Sequence, residues 1–203
     1  MRKGCPRLGR LGDCKEVKNI EQELKLFLDE REYDILLKQS KVKPTLQINY
    51  YFGYRGMSKE KMIRIREKLG VYVLCYKERL SQIEGVTVCD ERETELDFDT
   101  ACRFIDNGLR QDELENLLSV DVGDDLVCLG NMETYRAKFQ LAEWTLELDK
   151  NVYFDKTDYE VECEHRDVVA LSKLKNYLYY AFGIVIKPAT PKSERFMKAL
   201  NCR

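Results

Sequence analysis

Asp158-Tyr159-Glu160-Val161-Glu162-Cys163-Glu164 decides how this chain is read. Successive side chains on a strand point to opposite faces, so an acid at every second residue puts all four carboxylates on one face. Two shorter stretches repeat the pattern with other signs. Glu21-Gln22-Glu23-Leu24-Lys25 places two carboxylates and an amine on one side, and Met62-Ile63-Arg64-Ile65-Arg66 places two guanidiniums on one side. Residues 142–149 set Glu143, Thr145, Glu147 and Asp149 against Trp144, Leu146 and Leu148. Lys77 and Arg79 share a parity in 71–79, as do Arg136 and Lys138 in 133–141.

On a single strand, alternating charge marks the solvated face of a half-buried sheet. Six such strands together point elsewhere, because neighbouring rows of like charge repel. Acid-rich and base-rich strands facing one another across a lumen compensate each other once metal and ligand fill the space. Hard divalent ions take carboxylate oxygens, and Arg and Lys clamp phosphate oxygens. The chemistry that needs both is that of a polyphosphate travelling with Mg2+ or Mn2+.

The rest of the chain supplies the frame. Strands are predicted over 20–26, 46–52, 61–67, 71–79, 86–95, 126–130, 133–141, 142–149 and 156–164, with Gly53, Gly56, Gly70 and Gly85 as turns. Helices are predicted over 29–40, across 98–119 with a turn at Asn107-Gly108, over 167–186 with Asp167 as N-cap, and around 196–200. Tyr179-Tyr180, beside Phe182, is read as core packing in preference to a dimer contact, leaving monomer or homodimer open. Residues 1–18 read as an irregular tail and 19–203 as one domain. The fold class is α+β, mainly β, with an antiparallel sheet whose closure into a barrel would remove its edges.

Composition narrows the function. The 34 Lys+Arg nearly balance the 36 Asp+Glu, which argues against a general nucleic-acid binder. No apolar run is long enough for a membrane helix, and no apolar segment follows Arg2, Lys3, Arg7 and Arg10, so the expectation is a cytoplasmic protein. Eight scattered cysteines without a C-x2-C pair, beside the single His165, read as reduced structural thiols instead of a zinc site.

Taken in order, these motifs resemble the CYTH superfamily, the triphosphate tunnel metalloenzymes. Glu21-x-Glu23-x-Lys25 resembles its ExExK signature, and Gln47-Ile48-Asn49-Tyr50-Tyr51-Phe52 is similar to the second strand of its small bacterial members. Arg64-Ile65-Arg66, the Lys77 strand, Thr134-Tyr135-Arg136, Leu148-Asp149-Lys150, the acidic strand and Lys192-x-x-Arg195-Phe196 follow in the expected order. The subgroup resembled is often labelled putative adenylate cyclase.

The resemblance implies a closed eight-stranded antiparallel tunnel with peripheral helices, and hydrolysis of a triphosphate with Mg2+ or Mn2+. It makes Glu21, Glu23, Glu160, Glu162 and Glu164 metal-ligand candidates, with Glu147 and Asp149 in support. Lys25, Arg64, Arg66, Lys77, Arg79 and Arg136 become phosphate binders, and Lys192 and Arg195 close one mouth. Lys77 and Glu162 are the catalytic candidates. Inorganic triphosphate is the leading substrate. Thiamine or nucleoside triphosphates, ATP cyclisation and non-catalytic polyphosphate binding are the alternatives. Two features depart from the family pattern: Gly53 stands where Asp is common, and Cys89–Glu95 is unusually acidic.

Overall fold

Leu24, Leu26 and Leu28 are buried while Glu23, Lys25 and Phe27 alternate with them on the other side. The same division runs through the sheet and fixes what lies inside it. The structure, a computed structural model, describes residues 20–21, 23–54, 56–83, 86–165 and 167–202, without the side chains of 20–21, 81–83, 86–88 and 168. The expected tail, 1–18, and the side chain of Glu21 lie outside the described residues.

The elements are β1 (Ile20–Glu21), β2 (Glu23–Leu28), α1 (Glu30–Ser40), β3 (Thr45–Gly53), β4 (Lys61–Lys68), β5 (Val71–Ile83) and β6 (Val86–Leu96). They continue with α2 (Phe98–Asn107), α3 (Gln111–Leu118), β7 (Val127–Leu141), β8 (Trp144–Tyr153), β9 (Lys156–Glu164), α4 (Val168–Phe182), β10 (Lys187–Pro188) and α5 (Lys192–Leu200). All strand pairs are antiparallel, in the order β1-β6-β5-β4-β3-β7-β8-β9-β2-β10.

The expected closed sheet of eight strands is corrected: among the described residues there are ten strand segments and the order has two ends. The sheet nevertheless curls round. β1 pairs with β6 near one end, β2 pairs with β9 near the other, and only residue 22 separates β1 from β2 in the chain.

Helices cover the outer, apolar face in two places. Tyr33 and Leu36 of α1 with Leu171, Leu174 and Leu178 of α4 pack on Leu26, Leu146, Leu148 and Val161. Ala101 and Phe104 of α2 with Leu114 and Leu118 of α3 pack on Ile63, Ile65, Leu74 and Tyr76. Both hydrophobic cores therefore sit outside the sheet, which leaves the charged strand faces pointing inward. A third cluster, Tyr51, Met132, Tyr153, Phe196 and Ala199, seals the inner face beside α5.

Local chemistry explains the boundaries. Asp29 caps α1 reciprocally: its Oδ1 accepts from Glu32 N–H at 2.8 Å, and its own N–H donates to Glu32 Oε2 at 2.8 Å. The expected helix over 167–186 stops at Phe182, because Gly183 takes the left-handed conformation (φ 69°) that ends a helix. Asp167 is its N-cap, as expected, accepting from Val169 N–H at 2.8 Å. The last helix begins at Lys192, earlier than expected. The predicted break near residue 131 is a β-bulge within one strand: Tyr51 pairs with Gly130 and Phe52 with Cys128, so Leu129 is the extra residue. Gly130, at φ 131°, is needed there; a Cβ would lie 3.3 Å from the Phe196 ring. At Gly53 a Cβ would lie 3.0 Å from Leu129 Cδ1, so the same bulge crowds that position.

The core reading of Tyr179 and Tyr180 is corrected: they are 54% and 82% exposed, since they fall on the side of α4 opposite Leu174 and Leu178. Six described cysteines are free, and His165 Nδ1 accepts from Asp167 N–H at 3.0 Å in a surface junction.

Candidate active site

The inner face encloses a cavity of about 830 Å3. Its acidic wall is β2, β8 and β9, and strand register puts acid directly opposite acid there: Glu23 with Glu164, Glu147 with Glu162, and Asp149 with Glu160. Like charges opposed across a ladder are destabilising unless cations bridge them. Here cations do. Lys25 Nζ lies 3.0 Å from both Glu23 Oε2 and Glu162 Oε1. Arg136 binds both oxygens of Asp149, reaches Glu162 Oε2 at 2.9 Å and also pairs with Glu147. Lys192, from α5, reaches Asp149 Oδ2 at 2.9 Å, Glu162 Oε1 at 2.8 Å and Glu160. Arg195 pairs with Asp158 and Glu160, its guanidinium 4.8 Å from the Phe27 ring centre.

Burial drives the electrostatics in different directions according to the company each carboxylate keeps. Desolvation pushes Glu23 up to about 7, with Lys25 opposing it and Glu162 adding to it. Desolvation also raises Glu160. It acts on Glu162 too, but Lys192, Lys25 and Arg136 outweigh it and hold that carboxyl well below its usual range. Lys192 is raised despite desolvation, because Glu162, Glu160 and Asp149 surround the ammonium.

The opposite wall is basic. Arg64, Arg66, Lys77 and Arg79 of β4 and β5 line the same cavity. Arg66 Nη2 lies 3.2 Å from Glu93, Lys77 pairs with Glu91, and Arg79 pairs with Glu60 at the rim. Arg64 makes no ion pair among the described residues, and its Nε has no hydrogen-bond partner.

The structure thus gathers Glu23, Lys25, Arg136, Glu147, Asp149, Glu160, Glu162, Lys192 and Arg195 into one continuous network. Arg64, Arg66, Lys77, Arg79 and Glu164 lie around its cavity. Compensation differs from the expected picture: acids are neutralised mostly by adjacent strands and by α5, less by the wall across the cavity.

Sequence reasoning assigned no role to several lining or floor residues. Gln47, Asn49 and Tyr51 face the cavity from β3, and Asn49 Oδ1 is buried without a partner. Below them Thr134 donates to Asn151 Oδ1 at 2.8 Å, and Asn151 donates to Asp158 Oδ1 at 3.0 Å. Glu91 and Glu93 also line the cavity; the alternation Glu91-x-Glu93-x-Glu95 was the available signal.

The acidic wall fits a divalent cation. Oxygens of Asp149, Glu160 and Glu162 lie within 4.8 Å of one another. The donor set is all hard oxygen, and a protein ammonium already sits against all three.

The chain is similar to known proteins over most of its length. A Bacillus subtilis (strain 168) protein named "Putative triphosphatase YjbK" is 30% identical over 154 residues, spanning 73% of this chain and 78% of its own length. Among solved structures, a putative adenylate cyclase of Bacillus halodurans superposes with a TM-score of 0.69 at 25% identity, over 87% of this chain and 97% of its own. HpAC1 of Hippeastrum, a putative adenylyl cyclase with a dominant triphosphatase activity, gives 0.71 at 25% identity, over 88% and 96%. No described helix is long and apolar enough to cross a membrane. The CYTH domain model matches residues 19–197, and the chain belongs to the CYTH domain family.

Proposed function

We propose that residues 19–203 act as one unit that hydrolyses a triphosphate with a divalent metal, and that the substrate is inorganic triphosphate. The carrying observation is the register of the acidic wall. Three acid pairs stand directly opposed, beside a separate wall bearing Arg64, Arg66, Lys77 and Arg79. Such a sheet is reconciled with its own charge by cations on one side and by a polyanion on the other.

Asp149, Glu160 and Glu162 with Glu23 would hold Mg2+ or Mn2+, with Glu21, Glu147 and Glu164 in support. A bound ion of this kind neutralises phosphoryl charge and lowers the pKa of its water. The chain's own residues do the rest. Arg64, Arg66, Lys77 and Arg79 clamp phosphate oxygens and offset the charge that develops on the transferred phosphoryl. Lys25, on the acidic wall, and Arg136, on the intervening strand β7, both contact Glu162 and set its position. Lys77, as the catalytic candidate of the basic wall, exchanges Glu91 for a phosphoryl oxygen.

Inorganic triphosphate is preferred over an organic one because Tyr51 is the sole aromatic among the described lining residues, and it is 3% exposed. Among the described lining residues a base or thiazole ring finds no exposed aromatic platform. The dominant triphosphatase activity of the Hippeastrum relative supports hydrolysis over cyclisation. Ranking kcat/KM for inorganic triphosphate, ATP and thiamine triphosphate with Mg2+ or Mn2+ tests this. Inorganic triphosphate is expected first by at least tenfold, and an organic triphosphate in first place would overturn the substrate assignment.

A further inference from the structure

Among the described residues, Lys192 is the one side chain that contacts all three carboxylates of the candidate metal cluster. Its Nζ lies 2.9 Å from Asp149 Oδ2, 2.8 Å from Glu162 Oε1 and against Glu160, with the side chain 11% exposed. An ammonium at those distances occupies the oxygens that a divalent ion needs, and two cations at one site repel strongly in a buried setting. The acid cluster cannot serve both at once.

The helix that carries Lys192 does not depend on this contact. α5 is held by Arg195 on Asp158 and Glu160, and by Phe196, which is fully buried with its ring 4.7 Å from that of Tyr51 and 4.9 Å from that of Phe154. The segment before it is tied down as well, with Ala189 N–H donating to Lys25 C=O at 3.1 Å. A four-carbon stem can therefore swing its amine away while the backbone stays in place. The cavity into which it would swing is the one that also receives Arg64 and Arg66.

We propose that Lys192 is a built-in cation that closes the Asp149–Glu160–Glu162 cluster in the metal-free protein, competes with the divalent metal for it, and is released towards the bound triphosphate when metal enters. Metal entry thus sets free a positive charge for the polyanion, so the two ligands bind with positive coupling. The inference rests on the metal reading of the acidic wall given above and adds a regulator to it.

Mn2+ titration of the metal-free full chain by calorimetry, without substrate, tests it. Lys192→Met removes the charge and keeps most of the stem, and is expected to bind Mn2+ at least tenfold more tightly than the parent. Lys192→Arg keeps the charge and is expected to stay within about threefold. Unchanged or weaker Mn2+ binding by folded Lys192→Met overturns the competition while leaving the metal site standing. Absence of Mn2+ binding in both parent and variant overturns the metal reading and the competition together. Should Lys192→Met not fold, carbamylation of Lys192 by cyanate in the parent protein, followed by mass spectrometry, decides instead. Faster modification with Mn2+ supports release, and an equal rate overturns it.

Discussion

Lys25 and Glu162 are direct partners on neighbouring strands, and their side chains meet at 3.0 Å inside the curled sheet. Glu162 also takes Arg136 at 2.9 Å and Lys192 at 2.8 Å, so three cations from three elements converge on one carboxylate. Such a carboxylate is the electrostatic hub of the network.

Glu23→Ala and Arg66→Ala are expected to lose at least ~100-fold in kcat/KM, the scale seen when a preorganised charge is removed from a reacting centre. Both side chains are partly exposed to the cavity, 17% and 30%, so neither change should unfold the protein. Steady-state phosphate release together with a thermal melt checks this; retained activity in either variant contradicts the residue assignment.

Phe196→Ala should act through stability. The ring is fully buried against Tyr51, Tyr153 and Phe154. Loss of such a ring costs about 3–5 kcal/mol, or roughly 6–20 °C in Tm for a chain of this size. A melting curve within 2 °C of the parent, about the shift expected from under 1 kcal/mol, would show that α5 does not seal the inner face.

The metal-free protein should lose stability as pH rises through Glu23. Its carboxyl is raised from 4.5 to about 7, chiefly by desolvation, so between those values the folded state binds more protons than the unfolded state. Stability then falls with rising pH across that window and levels off above it. Denaturant titrations from pH 4 to 8 in EDTA should show the fall, and Glu23→Gln should make it shallower, leaving the part due to Glu160, which desolvation also raises.

Asn49→Ala should cost little stability despite 1% exposure, because its buried Oδ1 has no partner to lose. A change in folding free energy under ~1 kcal/mol by urea titration is expected; a loss above ~2 kcal/mol would show a bond to the amide in the free protein.

Much of this was legible in the sequence, because period-two charge is a direct consequence of strand geometry. The alternation in 158–164 and 20–26 located the acidic wall, and the apolar spacing in 98–119 and 167–186 located the helices that cover the outside. What escaped has a physical reason in each case. The break expected between 126–130 and 133–141 is a bulge at Leu129, and a bulge keeps a strand running where composition suggests an end. Gly183 ended α4 earlier than its apolar spacing indicated. The contact of Lys192 with Asp149 spans 43 positions, and no local pattern encodes which cation a buried acid will take. The neutral floor of Asn49, Thr134 and Asn151 carries no charge signal at all.

The most direct test of the account is phosphate release from inorganic triphosphate by the full chain with Mg2+ or Mn2+, against an EDTA control. The account predicts turnover that depends on metal and ceases in EDTA. No phosphate release under any of these metals, or release unaffected by EDTA, would contradict it.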